Sequence, residues 1–233
     1  MKNGEKIKAI FFDLDDTLVN SKKAEYNAIC EFKNTYDEFK GINNDEFAKS
    51  WHKVTTDVYE LYHSGKISFE ELRMKRMQGL FNTYGVNLED EEAKEKFKDY
   101  HKIYEKNWLL FDDAIDTLDK LKNKYKLAIV SNGDGEQQRR KIDYTGLKEY
   151  FPEIIISSEV GVSKPDKKIF EITCEKMNIT PEECIMVGDK YSTDVEGGLN
   201  AGLTAVWVDR KNDEKEYEYK INELAEMLKF IDN

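Results

Sequence analysis

The sequence predicts an α/β protein: a doubly wound, Rossmann-like parallel sheet with an inserted all-helical domain. Two observations carry this reading. Short apolar runs alternate with helical periods from about residue 112 onward, whereas residues 22–106, just after the first apolar run, show helical period alone. Near-continuous apolar runs fit strands covered on both faces of a parallel sheet. Their alternation with helices gives right-handed βαβ units.

Residues 7–13 (IKAIFFD) read as the first strand. In the segment that follows, Trp51, Val54, Val58 and Leu61 share one helical face, as do Met77, Leu80, Phe81 and Tyr84, and then Ala93, Phe97, Tyr100 and Tyr104. Acids at 89–92 with lysines after them mark a helix start, as the macrodipole favours. These stripes read as the core of a helical cap spanning 20–107, inserted into an α/β core of 1–19 and 108–233, with crossings near 19–21 and 107–112 as a hinge pair. The core continues through apolar runs at Lys126–Ser131, 153–157, Cys184–Gly188 and 203–208. Helical patterns at 112–124, 135–145, 165–177 and 192–201 separate them.

Of 233 residues, 39% are hydrophobic and 36% charged, the balance of a soluble globular protein with room for a sizeable core. No run approaches the roughly 18 apolar residues of a membrane span, so no membrane partner is expected. The start, MKNGEKIKAIFFD, is not a secretory signal, because acids interrupt its short apolar segment. A net charge of −11 argues against nucleic acid as a partner, since phosphate backbones need a basic surface. Cys30, Cys174 and Cys184 form neither a metal spacing nor a disulfide set, and a reducing cytoplasm is expected.

Ligands of an open parallel sheet bind beyond the carboxyl ends of its strands. Asp13-x-Asp15-x-Thr17 follows the first strand, Ser131-Asn132-Gly133-Asp134 the second, Ser163-Lys164-Pro165 the third at some distance, and Gly188-Asp189 with Asp194 the fourth. Taken singly, each has a plain alternative: Ser131 as an N-cap, Lys164 as a solvated lysine, Asp194 as a first-turn acid, Asp16 and Asp134 as turn residues. Taken together, Asp13, Asp15 and Asp189 form a carboxylate cluster suited to a hard divalent cation such as Mg²⁺. Ser131 and the turn after it offer an anion seat, with Lys164 adding positive charge. A carboxylate beside a phosphate seat is a potential nucleophile.

The segments FFDLDDTL, VSNGD, SKPD and VGDKYSTDVEGG resemble the four motifs of the haloacid dehalogenase superfamily, in the same order and with a helical cap inserted after the first. The resemblance implies Asp13 as nucleophile forming an aspartyl-phosphate, Asp15 as general acid and then base, Ser131 and the Asn132 backbone as phosphoryl holders, with Gly133 beside them, and Lys164 as charge neutraliser. It implies Mg²⁺ held by Asp13, Asp189 and the backbone carbonyl of Asp15, with Asp194 ordering the metal's water. On this reading Asp15 starts protonated, its pKa raised by a neighbouring carboxylate and burial. An acid at position 15 favours phosphoryl transfer over dehalogenation. Thr17, counted among the substrate-side residues, leans toward a phosphatase, because phosphomutase relatives commonly carry a β-branched aliphatic residue there.

The stretches TGLKEYFPEIIISSEVGVSKPDKKIF and GGLNAGLTAVWVD are similar to bacterial pyrimidine 5′-nucleotidases, and SNGDGEQQRRKI to N-acylneuraminate-9-phosphatase. In the cap, Tyr62, His63 and Arg76 are candidates for reading the substrate; the alternatives are a helix-face aromatic, a helix C-terminal residue and a solvated arginine. The expected activity is hydrolysis of a small phosphorylated metabolite, a nucleoside 5′-monophosphate first, by a monomer or weak homodimer. A sugar-phosphate or phosphoglycolate-type phosphatase is the alternative within the fold. A non-catalytic regulatory protein that binds a phosphometabolite is the alternative from another class.

Overall fold

A computed structural model describes residues 7–231. Residues 1–6, where the sequence argument against a secretory signal begins, and 232–233 lie outside the described residues. The chain divides into two compact units, one made of the residues up to Ser21 together with those from Leu109, the other Lys22–Trp108.

From the N-terminus come β1 (Ala9–Phe12) and helices α1 (Ser21–Lys33), α2 (Asn44–His63), α3 (Phe69–Thr83) and α4 (Asp90–Lys106). There follow α5 (Ala114–Leu121), β2 (Lys126–Ser131), α6 (Gly135–Tyr144), β3 (Glu153–Ile156), α7 (Ser157–Val160) and α8 (Lys167–Met177). The chain continues through β4 (Cys184–Gly188), α9 (Glu196–Asn200), β5 (Thr204–Val208), β6 (Lys220–Ile221) and α10 (Leu228–Ile231).

The first unit is the parallel α/β sheet the alternation predicts, in the order β3-β2-β1-β4-β5-β6. Both faces are covered, which is why the strands read as unbroken apolar runs. Ile10, Phe12, Ile129, Ile185 and Val187 join the core on one face; Ala9, Phe11, Ala128, Val130 and Met186 join the core on the other. The strand order reverses at β1, whose neighbours are β2 and β4. Side chains just past β1 and β4 therefore stand at the crevice where such sheets bind ligands.

The pattern at 192–201 reads as one helix, and the structure differs there. A π-helical turn, Tyr191–Val195, precedes α9. The wide turn swings Asp194 inward against the sheet end, so close to Gly188 that a Cβ on that residue would lie 2.4 Å from the Asp194 carboxyl carbon. Glycine is required there by space.

The second unit packs α2, α3 and α4 around an aromatic core that includes Phe32, Phe39, Phe47, Trp51, Phe81, Phe97 and Tyr100. The Asn43 side chain accepts from the Asp45 and Glu46 amides at the start of α2, and Ser68 with Glu71 forms a capping box on α3. On the α2 stripe Trp51 and Val58 are buried, but Leu61, near the helix end, is exposed. No helix among the described residues is long and apolar enough to cross a membrane.

Candidate active site

Asp13 extends the β1–β4 ladder by one residue, its amide donating to the Val187 carbonyl at 2.9 Å. Its side chain is thereby fixed at the switch point, and it is buried. Lys164 reaches the same place from the loop after α7. Its Nζ lies 2.7 Å from Asp13 Oδ1 and 2.7 Å from Asp194 Oδ1. Asn132 holds that loop by two hydrogen bonds: its Nδ2 donates to the Lys164 carbonyl at 2.9 Å, and its Oδ1 accepts from the Lys164 amide at 2.8 Å. The solvated alternative for Lys164 therefore fails, since the residue is 3% exposed.

Asp13, Asp189 and Asp194 each bring one carboxylate oxygen within 4.8 Å of the others. Like charges so close repel unless a cation stands among them. An all-oxygen donor set of this kind fits Mg²⁺, and the chemistry of the donors is the fit that the structure offers. Behind the cluster, Thr17 Oγ1 accepts from the Asp189 amide at 3.0 Å, and Asp194 Oδ2 from the Lys190 amide at 2.9 Å. Thr17 is fully buried, so the residue placed on the substrate side by sequence instead sets the backbone of a cluster member.

Asp15 departs from expectation. Its carboxylate is not in the cluster, which leaves its backbone carbonyl as the atom available to a metal. Oδ1 accepts from Lys141 Nζ at 2.5 Å and from the Ser21 hydroxyl, and Oδ2 from Gln138 Nε2 at 2.6 Å. Burial pushes its pKa up, but the Lys141 ammonium and the donors from Lys141, Ser21 and Gln138 outweigh that, and the net shift is downward. The expected raised pKa is therefore corrected. The partner that decides its charge is a cation 126 positions along the chain, not a neighbouring carboxylate. Asp13 shifts the other way. Without a metal, burial carries it up to about 8 against the pull of Lys164. Lys164 is pushed to about 12, the nearby Asp13 and Asp194 charges overcoming burial, which works downward.

Ser131 closes β2 and is buried, and its Oγ accepts from Gln138 Nε2 at 3.0 Å. It does not cap α6; Asp134 does, accepting from the Gln137 amide at 2.9 Å. Gly133, expected beside the phosphate seat, already donates its amide to Ser157 Oγ at 3.0 Å. Sequence reasoning missed Lys141, Gln138 and Ser21.

The three candidates from the cap lie in the helical unit. Tyr62 is half-buried, its ring 5.8 Å from that of Phe69, and His63 is the exposed last residue of α2. Arg76 is not the solvated arginine of the alternative reading. It is 7% exposed, its Nη2 donates to Glu25 Oε1 at 3.0 Å, its Nε donates to Thr55 Oγ1 at 3.1 Å, and its guanidinium lies 4.2 Å from the Trp51 ring centroid.

The family model described as haloacid dehalogenase-like hydrolase matches residues 7–202. The chain belongs to that family of hydrolases. It is 29% identical over 226 residues to N-acylneuraminate-9-phosphatase of Mus musculus, covering 88% of this chain and 84% of that one. It is 28% identical over 207 residues to pyrimidine 5′-nucleotidase YjjG of Escherichia coli, covering 88% of each. Among solved structures, the putative HAD-hydrolase YfnB of Bacillus subtilis, crystallised bound to magnesium, superposes with a TM-score of 0.83 at 24% identity, over 98% of this chain and 100% of that one. That likeness establishes the fold.

Proposed function

We propose that this family member hydrolyses phosphomonoesters of small metabolites through an aspartyl-phosphate on Asp13, with nucleoside 5′-monophosphates as the leading substrate class and Mg²⁺ as cofactor. The observation that carries the reading is a single buried point where Asp13 meets Lys164 at 2.7 Å and stands within 4.8 Å of Asp189 and Asp194. Asp13, Asp189 and the Asp15 carbonyl would hold the ion, with Asp194 ordering its water. The ion would offset carboxylate repulsion and draw in an anionic substrate.

The chain's own groups then divide the work. An Asp13 oxygen attacks phosphorus as the bond to the leaving oxygen breaks, and Lys164 and the Ser131 hydroxyl stabilise charge on the phosphoryl oxygens. Asp15 passes a proton to the departing alcohol, then takes one from the water that attacks the aspartyl-phosphate. The resting contacts favour ionised Asp15, the form the second half-reaction needs. An arriving phosphate dianion adds negative charge beside it and favours the protonated form required first.

The similarity to a pyrimidine nucleotidase supports the nucleotide reading, and that to N-acylneuraminate-9-phosphatase supports a sugar-phosphate alternative. Tyr62 and His63 are the proposed substrate-reading residues of the cap, and the protein is proposed to work in the cytoplasm as a monomer or weak homodimer. Phosphate release from UMP, dUMP, phosphoglycolate and hexose phosphates, with and without Mg²⁺, tests the proposal. Nucleotides should lead, and only with the metal. Turnover of no ester at all would favour the non-catalytic binding reading.

A further inference from the structure

The face of α6 that sends Ile142 into the core also carries Gln138 and Lys141, which are 3% and 1% exposed. Lys141 Nζ stands 2.5 Å from Asp15 Oδ1 and 2.9 Å from Gln138 Oε1. Gln138 Nε2 reaches Asp15 Oδ2 at 2.6 Å and Ser131 Oγ at 3.0 Å. Two residues on successive turns of one helix thus grip both oxygens of Asp15, and one amide ties that carboxylate to the Ser131 hydroxyl. A buried ammonium costs stability unless paired, and an apolar residue of similar volume would often serve packing as well or better. α6 carries the charge where its packing alone would favour a methionine or leucine.

We propose that Lys141, with Gln138, is a positioning residue that fixes the Asp15 carboxylate in the orientation from which it serves the leaving-group oxygen. The inference rests on the phosphatase reading above. In the first step the Asp13–phosphorus bond forms, the phosphorus–ester oxygen bond breaks, and the Asp15 proton moves to that oxygen. An alkoxide leaving group needs the proton, whereas nitrophenolate departs without it. Misplacing Asp15 therefore harms alkyl esters selectively, and general damage to the fold does not sort substrates by leaving group.

The test compares kcat/KM, which reports the steps through alcohol release, for p-nitrophenyl phosphate, uridine 5′-monophosphate and glycerol 1-phosphate. Lys141→Met should lower the two alkyl esters on the order of 10²-fold and the nitrophenyl ester only several-fold. In an Asp15→Asn background the same substitution should add less than about twofold, because residues acting through one group are not additive. Gln138→Leu, which exchanges one neutral side chain for another, carries the same comparison if circular dichroism shows Lys141→Met unfolded. Equal losses on all three esters, or a full further loss in the Asp15→Asn background, would overturn the inference while leaving the phosphatase reading in place. A wild-type protein that turns over none of the esters would overturn both.

Discussion

In the helical unit the Arg76 guanidinium lies over Trp51 and pairs with Glu25, which also accepts from the Trp51 indole at 2.9 Å. In the α/β unit the Lys164 ammonium is shared between Asp13 and Asp194, and Asp189 joins them. The first arrangement matches one cation with one anion and finishes it with an aromatic face, so it needs nothing further. The second sets three carboxylates around an ammonium that cannot neutralise them all. Both bury charge, which is expensive unless compensated. The first is a balanced structural pair; the second carries an excess of negative charge that a divalent cation would offset.

Breaking the unbalanced cluster has the largest expected effect. Asp13→Asn removes the proposed nucleophile while keeping the shape, and phosphate release should fall by at least about 10⁴-fold in a chain that circular dichroism shows folded. Turnover near wild type would mean another nucleophile. In the balanced pair, Arg76→Leu strands Glu25. Glu25 is 31% exposed, so the cost falls below that of a fully buried pair, at about 2 kcal/mol in urea unfolding. A loss within experimental error would mean the pair is not what holds α3 to α1.

Smaller changes sharpen the contrast. Thr17→Val removes the hydroxyl that accepts from the Asp189 amide, and Mg²⁺ affinity should drop about tenfold, as when an outer partner of a metal ligand is lost. The subtlest effect concerns pH. In metal-free protein Asp13 is raised from 3.8 to about 8. Between those values the folded state holds a proton that the unfolded state has released, so stability falls as pH rises toward about 8. Urea midpoints of the wild type should decline across this range relative to Asp13→Asn, which lacks the titrating group. Parallel curves would show that Asp13 does not carry the proton.

Much of the fold was legible because burial on both faces leaves a plain trace, as in CIMVG and KLAIVS. β6 was not, because two residues are too few for any period. The π turn at Tyr191–Val195 escaped because its composition is that of an ordinary helix start. At the site, Asp13, Ser131, Lys164 and Asp189 announced themselves by following apolar strands. Lys141 and Gln138 hid in EQQRRKI, which reads as a charged surface. A signal was present: Gln138, Lys141, Ile142 and Thr145 have the i, i+3, i+4, i+7 spacing of a single face. Ile142 marks that face as buried, and a lysine on it requires a partner.

One divalent cation is proposed to be held by Asp13, Asp189 and the Asp15 carbonyl, with Asp194 ordering its water. The decisive experiment is calorimetric titration of Mg²⁺ into metal-free wild type and Asp189→Asn. One ion should bind per wild-type chain and little or none to the variant; undiminished binding in Asp189→Asn would rule the shared ion out.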